Sequence, residues 1–139
     1  MKISKFDNYY VLRLQKDEEI ITTIRYAAET EEINGAFFFG LGVGKDLVLG
    51  YFDASHKTYI KKAFVGEYEF TSLVGNISKF NDEITIHCHA TITNNNFNAF
   101  GGHLFQGIVP ATCEIIVLPF KKILIRKKDK STGLNLIDV

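Results

Sequence analysis

Between Glu83 and Thr93 apolar and polar positions alternate without a break: Ile84, Ile86, Cys88, Ala90 and Ile92 share one parity, and Thr85, His87, His89, Thr91 and Thr93 the other. Successive side chains of an extended chain leave opposite faces, so the pattern predicts a half-buried strand. Both imidazoles then emerge on its polar face, about 6.5–7 Å apart along the strand. Asn94-Asn95-Asn96 tolerate left-handed backbone and predict a hairpin turn. If the turn centres on Asn95 or Asn96, facing residues sum to roughly 190–192, which sets His103 opposite the stretch from His87 to His89. Three imidazoles would share one patch of sheet, whereas a slip of one residue would turn His103 to the other face. Gly101-Gly102, just before it, leave room for a bulge or for close backbone approach.

Elsewhere the periodicity changes once. Tyr9 to Leu14 reads as a short strand. Ile20, Ile21, Ile24, Ala27 and Ala28 then follow helical spacing, with Asp17 as the expected cap of a helix beginning at Glu18 and Asn34-Gly35 ending the unit. Gly35 to Val43 predicts an aromatic-rich strand. In it Gly40, Gly42 and Gly44 recur at every second residue, a bare face that another backbone or another subunit could approach. Leu47–Phe52, Thr58–Phe64 and Glu67–Phe80 add strands, the last with a bend expected at Gly75. Leu104–Val109, Thr112–Leu118 and a closing strand over Lys122–Lys127 complete the series. One helix followed by a long antiparallel run predicts an α+β fold: an antiparallel β-sheet with one principal flanking helix.

Length and charge narrow the function. The 139 residues suit a single domain, 1–139, and 46% hydrophobic against 23% charged residues is a globular balance. Sixteen basic residues cancel sixteen acidic ones, so no global field draws a polyanion. The N-terminus lacks a signal-peptide core and no apolar run reaches membrane-spanning length, so the expected setting is cytoplasmic, with no membrane partner. Cys88 and Cys113 alone make no disulfide framework. The glycine spacing is not a dinucleotide fingerprint, and no phosphate loop is present.

Neutral imidazole is a favoured zinc ligand, and three histidines with one open position form a recurrent catalytic zinc arrangement. His87, His89 and His103 are therefore candidate metal ligands, the competing reading being polar-face histidines bonded to solvent or to threonines. Cys88 points away from its neighbours and reads as core; His56 sits in a turn. Glu114, alone in the apolar run Thr112–Leu118, is a candidate fourth ligand, orienting partner or general base for metal-bound water, or else an ordinary outward residue. Glu67 and Glu69 share a strand face and are weaker candidates. The basic run Lys121–Lys130 could touch phosphates, but reads better as a solvated edge protected by lysines.

The stretch Ile21–Gly42, together with Ser72–Ser78, His87-Cys-His89, Gly101-Gly-His-Leu104, Gly107–Val109 and Glu114-Ile-Ile, resembles the plants-and-prokaryotes conserved domain over nearly the whole chain. Stand-alone prokaryotic members of that family are commonly labelled as predicted DNA-binding proteins. The resemblance implies a compact antiparallel sheet with flanking helices, a homotrimer, and zinc held by the histidines matching His87, His89 and His103. The architecture is also similar to acetolactate decarboxylase, a zinc enzyme. The arm that reads DNA in plant relatives, Arg-Gly-Arg-Pro, does not occur in this sequence. Two functions follow as expectations: a DNA-associated or regulatory module, and a small zinc-dependent lyase or hydrolase acting on a carbonyl or carboxylate metabolite.

Overall fold

The computed structural model describes residues 1–139. In chain order the elements are β1 (Lys2–Lys5), β2 (Tyr10–Leu14), α1 (Ile20–Thr30), β3 (Ala36–Asp53), β4 (Thr58–Phe80), β5 (Glu83–Thr93), β6 (Ala99–Ile108), β7 (Cys113–Pro119), β8 (Arg126–Lys128) and β9 (Asn135–Ile137). This is the expected α+β arrangement, a largely antiparallel sheet with one helix. That helix, with 11 residues, is too short to cross a membrane.

Seven strands form one sheet in the order β1-β2-β7-β3-β4-β5-β6, and β3 also pairs with β6. The first half of β3 lies between β7 and β4, while its second half pairs with β6 from Lys45 to Gly50. The sheet thus curls until its far strand meets its middle one. Helix α1 packs against β5 and β6 and buries Ile20, Ile24, Ala27 and Ala28. These join Leu12, Phe38, Leu73, Ile77, Ile92, Leu104 and Ile115 in one continuous core.

Several local expectations change. The helix begins at Ile20, two residues later than a cap at Asp17 would set, because Asp17 sits at φ 69° in a left-handed turn. Glu19 is the cap, accepting from the backbone N–H groups of Ile21 and Thr22. The strands expected on either side of Lys45 are one strand, as are those on either side of Gly66. Asp46 (φ 52°) and Gly66 (φ 89°) mark a bulge across the β3–β4 pair, with the Gly66 N–H donating to Asp46 Oδ1, so pairing resumes beyond them. Likewise Leu104–Val109 continues a strand that starts at Ala99. The closing strand shrinks to Arg126–Lys128 and pairs with β9, which, like β1, the alternation did not foretell.

The glycine face is also reassigned. A Cβ on Gly40 or Gly42 would strike the backbone of β7, and one on Gly44 the rings and methyls of Phe70 and Leu47. Those glycines admit this chain's own core. Residues of the opposite parity, Phe37, Phe39 and Leu41, are the ones turned outward. Gly75 is needed for the same reason: its missing Cβ leaves space for the buried ring of Phe38.

Candidate metal centre

Strand β5 keeps the predicted parity, with Ile86, Cys88, Ala90 and Ile92 buried and His87 and His89 on the other face. The β5–β6 hairpin closes through Asn94, whose Oδ1 accepts from the N–H groups of Asn96 and Asn98, while Phe97 takes the left-handed position. His89 stands directly opposite His103, within the expected register. On its other side His103 pairs with Gly50 of β3. Gly102 has no room for a side chain there, since a Cβ would lie 2.7 Å from the Gly50 carbonyl oxygen.

The three rings therefore converge. Their centroids are 5.2 Å (His87–His89), 5.0 Å (His87–His103) and 5.3 Å (His89–His103) apart. One ring nitrogen from each lies within 4.8 Å of the others. Nitrogens bound tetrahedrally at about 2.0–2.1 Å would be about 3.3 Å apart, so modest rotamer adjustment suffices. Burial, Arg126 and His89 hold His87 down to about 4; burial with its cationic neighbours holds His103 at about 4, and burial also lowers His89. All three are thus neutral near pH 7, the protonation state that a metal requires. His103 Nδ1 is buried without a hydrogen-bond partner, an orphan that ligation would relieve. His89 is exposed and leaves one side open.

The other candidates fall outside the cluster. Glu114 projects outward from β7, aligned with Arg13 and Leu41. With β3 and β4 between β7 and β5, it is about 14 Å across the sheet from the imidazoles at ordinary strand spacing. It cannot serve this chain's own cluster as ligand or base, because the apolar run containing it lies on the far side of β3. Glu67 and Glu69 are exposed opposite Lys45 and Val43. His56 is exposed and paired with Asp53 at 2.7 Å. Cys88 and Cys113 are buried free thiols, and burial pushes Cys113 up to about 12.

One residue at the site was not foreseen. Arg126, inside the basic run, turns inward and is buried while Lys121, Lys122, Lys127, Lys128 and Lys130 stay exposed. Its guanidinium donates to Ser78 Oγ (2.8 Å), Asn135 O (2.6 Å), Asn76 Oδ1 (2.7 Å) and His87 Nδ1 (3.2 Å). The available signal was scarcity: Arg13, Arg25 and Arg126 are the only arginines, and lysine fills every other basic place in that run. A pocket of about 250 Å³ opens beside His87 and His103, walled by Tyr59, Thr85, Arg126 and the tail residues Leu134–Leu136.

A closed antiparallel sheet bearing a three-histidine cluster on one hairpin defines a protein in which three imidazoles could hold a metal ion. The model of the Plants and Prokaryotes Conserved (PCC) domain matches residues 1–121, and the chain belongs to that family. Among solved structures, a Bacteroides thetaiotaomicron protein described as a "putative dna binding protein" is 27% identical, with a TM-score of 0.95, over 99% of this chain and 96% of its own. A plant- and prokaryote-conserved protein from Pyrococcus horikoshii is 30% identical (TM-score 0.88; 99% and 94% covered). The protein AF0104 from Archaeoglobus fulgidus, described as metal-containing, is 31% identical (TM-score 0.89; 100% of both chains). Nothing among curated proteins matches the chain.

Proposed function

We propose that this chain is a homotrimeric PCC-domain protein that holds one divalent ion, zinc, through His87, His89 and His103. The observation that carries the reading is the convergence of three neutral imidazole nitrogens within 4.8 Å on one hairpin. The description of AF0104 as metal-containing supports it. When bound, the ion would supply a concentrated positive charge able to polarise an oxygen of a small ligand. The chain's own residues would hold that ligand: Tyr59, Thr85 and Arg126 wall the adjacent pocket, and Leu134 and Leu136 exclude water from one side.

Assembly is supported by a second feature. Phe37, Phe39, Leu41, Val74 and Leu118 form an apolar row across β7, β3 and β4, each between 38% and 61% exposed. A row of this kind is unusual on a monomer and suits contact with further copies. The row adjoins the imidazoles, since Val74 pairs with His89 across β4 and β5.

The pocket favours small-molecule chemistry of lyase or hydrolase type. A DNA-associated role is the second reading, supported by the description of the Bacteroides protein and by the exposed lysines near the C-terminus. The two separate readily: a DNA role gives mobility retardation of duplex DNA that falls steeply with salt.

Metal analysis of purified protein tests the centre. Wild type is expected to carry about one equivalent of zinc per chain, and His89→Ala to lose it, with affinity down by at least about a hundredfold. Wild-type protein that takes up no divalent ion would end the proposal.

A further inference from the structure

Arg126 lies beyond the residues matched by the family model, and the hairpin of β8 and β9 carries it back onto the site. Two contacts seat that hairpin: the Lys79 N–H donates to Leu124 O, and the Leu124 N–H donates to Asn34 O. The guanidinium is buried, yet its four recorded partners are a hydroxyl, a side-chain amide, a backbone carbonyl and an imidazole. No carboxylate contacts it, and no acidic residue lines the pocket it shares with His87 and His103; Asp82 lies on a second pocket that Arg126 borders. A buried cation without an anion is costly, and such sites ordinarily hold a counter-charge.

Two further details give the missing anion a shape. Arg126 uses four of its five N–H groups, and one on Nη1 is unassigned. The fourth contact, to His87 Nδ1, needs a lone pair on that nitrogen. Ligation through Nδ1 would consume the lone pair, and ligation through Nε2 would place the proton of the neutral ring on Nδ1. Either way the arriving ion ends the contact, leaving Nη2 and Nη1 each with a free N–H. Two such donors on the neighbouring nitrogens Nη1 and Nη2 match in number the two oxygens of a carboxylate. Ile86, Leu134 and Leu136 make one apolar part of the wall, beside Tyr59, Thr85 and Asn135, and suit a short carbon skeleton.

We propose that Arg126 makes this pocket a receptor for a small carboxylate, one that lies between the guanidinium and the histidine-held ion. The proposal deepens the metal reading and rests on it for the second positive charge. Arg126 is the specificity determinant, and the tail hairpin is part of the binding site.

Isothermal titration calorimetry of zinc-loaded protein with pyruvate, and with its neutral counterpart pyruvamide, tests this. Wild type is expected to prefer pyruvate by at least tenfold. Arg126→Gln is expected to lose that preference while its zinc content, measured on the same sample, stays at the wild-type level. Arg126→Lys keeps the charge without the fork and should retain a reduced preference, which serves if Arg126→Gln fails to melt cooperatively. Equal binding of the two probes by wild type, or an unchanged preference in Arg126→Gln, overturns the proposal. If the protein takes up no metal, the same pair of titrations is run on the metal-free form. A preference that depends on Arg126 then upholds the carboxylate site and sinks only the metal reading; no preference sinks both.

Discussion

The outer face of the sheet has two halves built by the same rule. Across β7, β3 and the middle of β4 it presents Leu118, Phe37, Phe39, Leu41 and Val74; on β5 and β6 it presents His87, His89 and His103. In both halves the opposite parity fills the core, with Phe38 and Ile115 in one and Cys88 and Ile92 in the other. Alternation therefore decides which side chains are turned out and says nothing about what they meet there. In the apolar half the outward residues meet solvent as one continuous row. In the polar half they meet one another.

That contrast can be broken at either end. The largest effect is expected from Phe39→Glu in the apolar half. An unpaired charge in an apolar contact costs about 3 kcal/mol, so association should weaken by at least about a hundredfold. Sedimentation should then show a shift toward monomer while zinc stays bound. Unaltered assembly would mean that the row is not the contact surface.

A smaller effect belongs to the polar half alone. His87 and His103 titrate near 4 in the folded protein, against an ordinary value of 6.5, chiefly because they are buried. The unfolded chain binds protons between those limits that the folded chain refuses. The stability of metal-free protein should therefore fall as pH drops from about 6.5 toward about 4, and this contribution should level off below that. Thermal melts at pH 7, 6 and 5 measure it, and His103→Gln should flatten the slope. A melting temperature constant over that range would contradict the burial argument.

The smallest effect is expected on β7, the side of the apolar half farthest from the imidazoles. Glu114→Gln changes an exposed side chain on β7, remote from the imidazoles. Zinc content should be unchanged and stability should move by no more than about 0.5 kcal/mol. Loss of metal in that variant would place Glu114 at the centre after all, through a neighbouring copy.

How much of this was legible beforehand follows from the same rule. The histidine hairpin could be read because eleven alternating residues and one asparagine turn fix both face and register. Glu114 could not be placed, because alternation assigns a residue to a face without saying which strands separate it from others on that face. The long strands β3 and β4 read as broken because runs end at Val43 and Phe64 and resume at Leu47 and Glu67, whereas Asp46 and Gly66, facing one another, form a bulge inside continuous strands. The tail was opaque for another reason. Pairing over three residues has no period, and the inward turn of Arg126 depends on Ser78 and Asn76, 48 and 50 positions away.

The way the tail closes has a practical side. Leu136 lines the pocket and Val139 follows three residues later. A polyhistidine tract fused after Val139 would begin near His87 and His103 and bring imidazoles of its own to that pocket. Metal stoichiometry is best measured on protein purified without such an extension, or with the affinity handle at the other end of the chain.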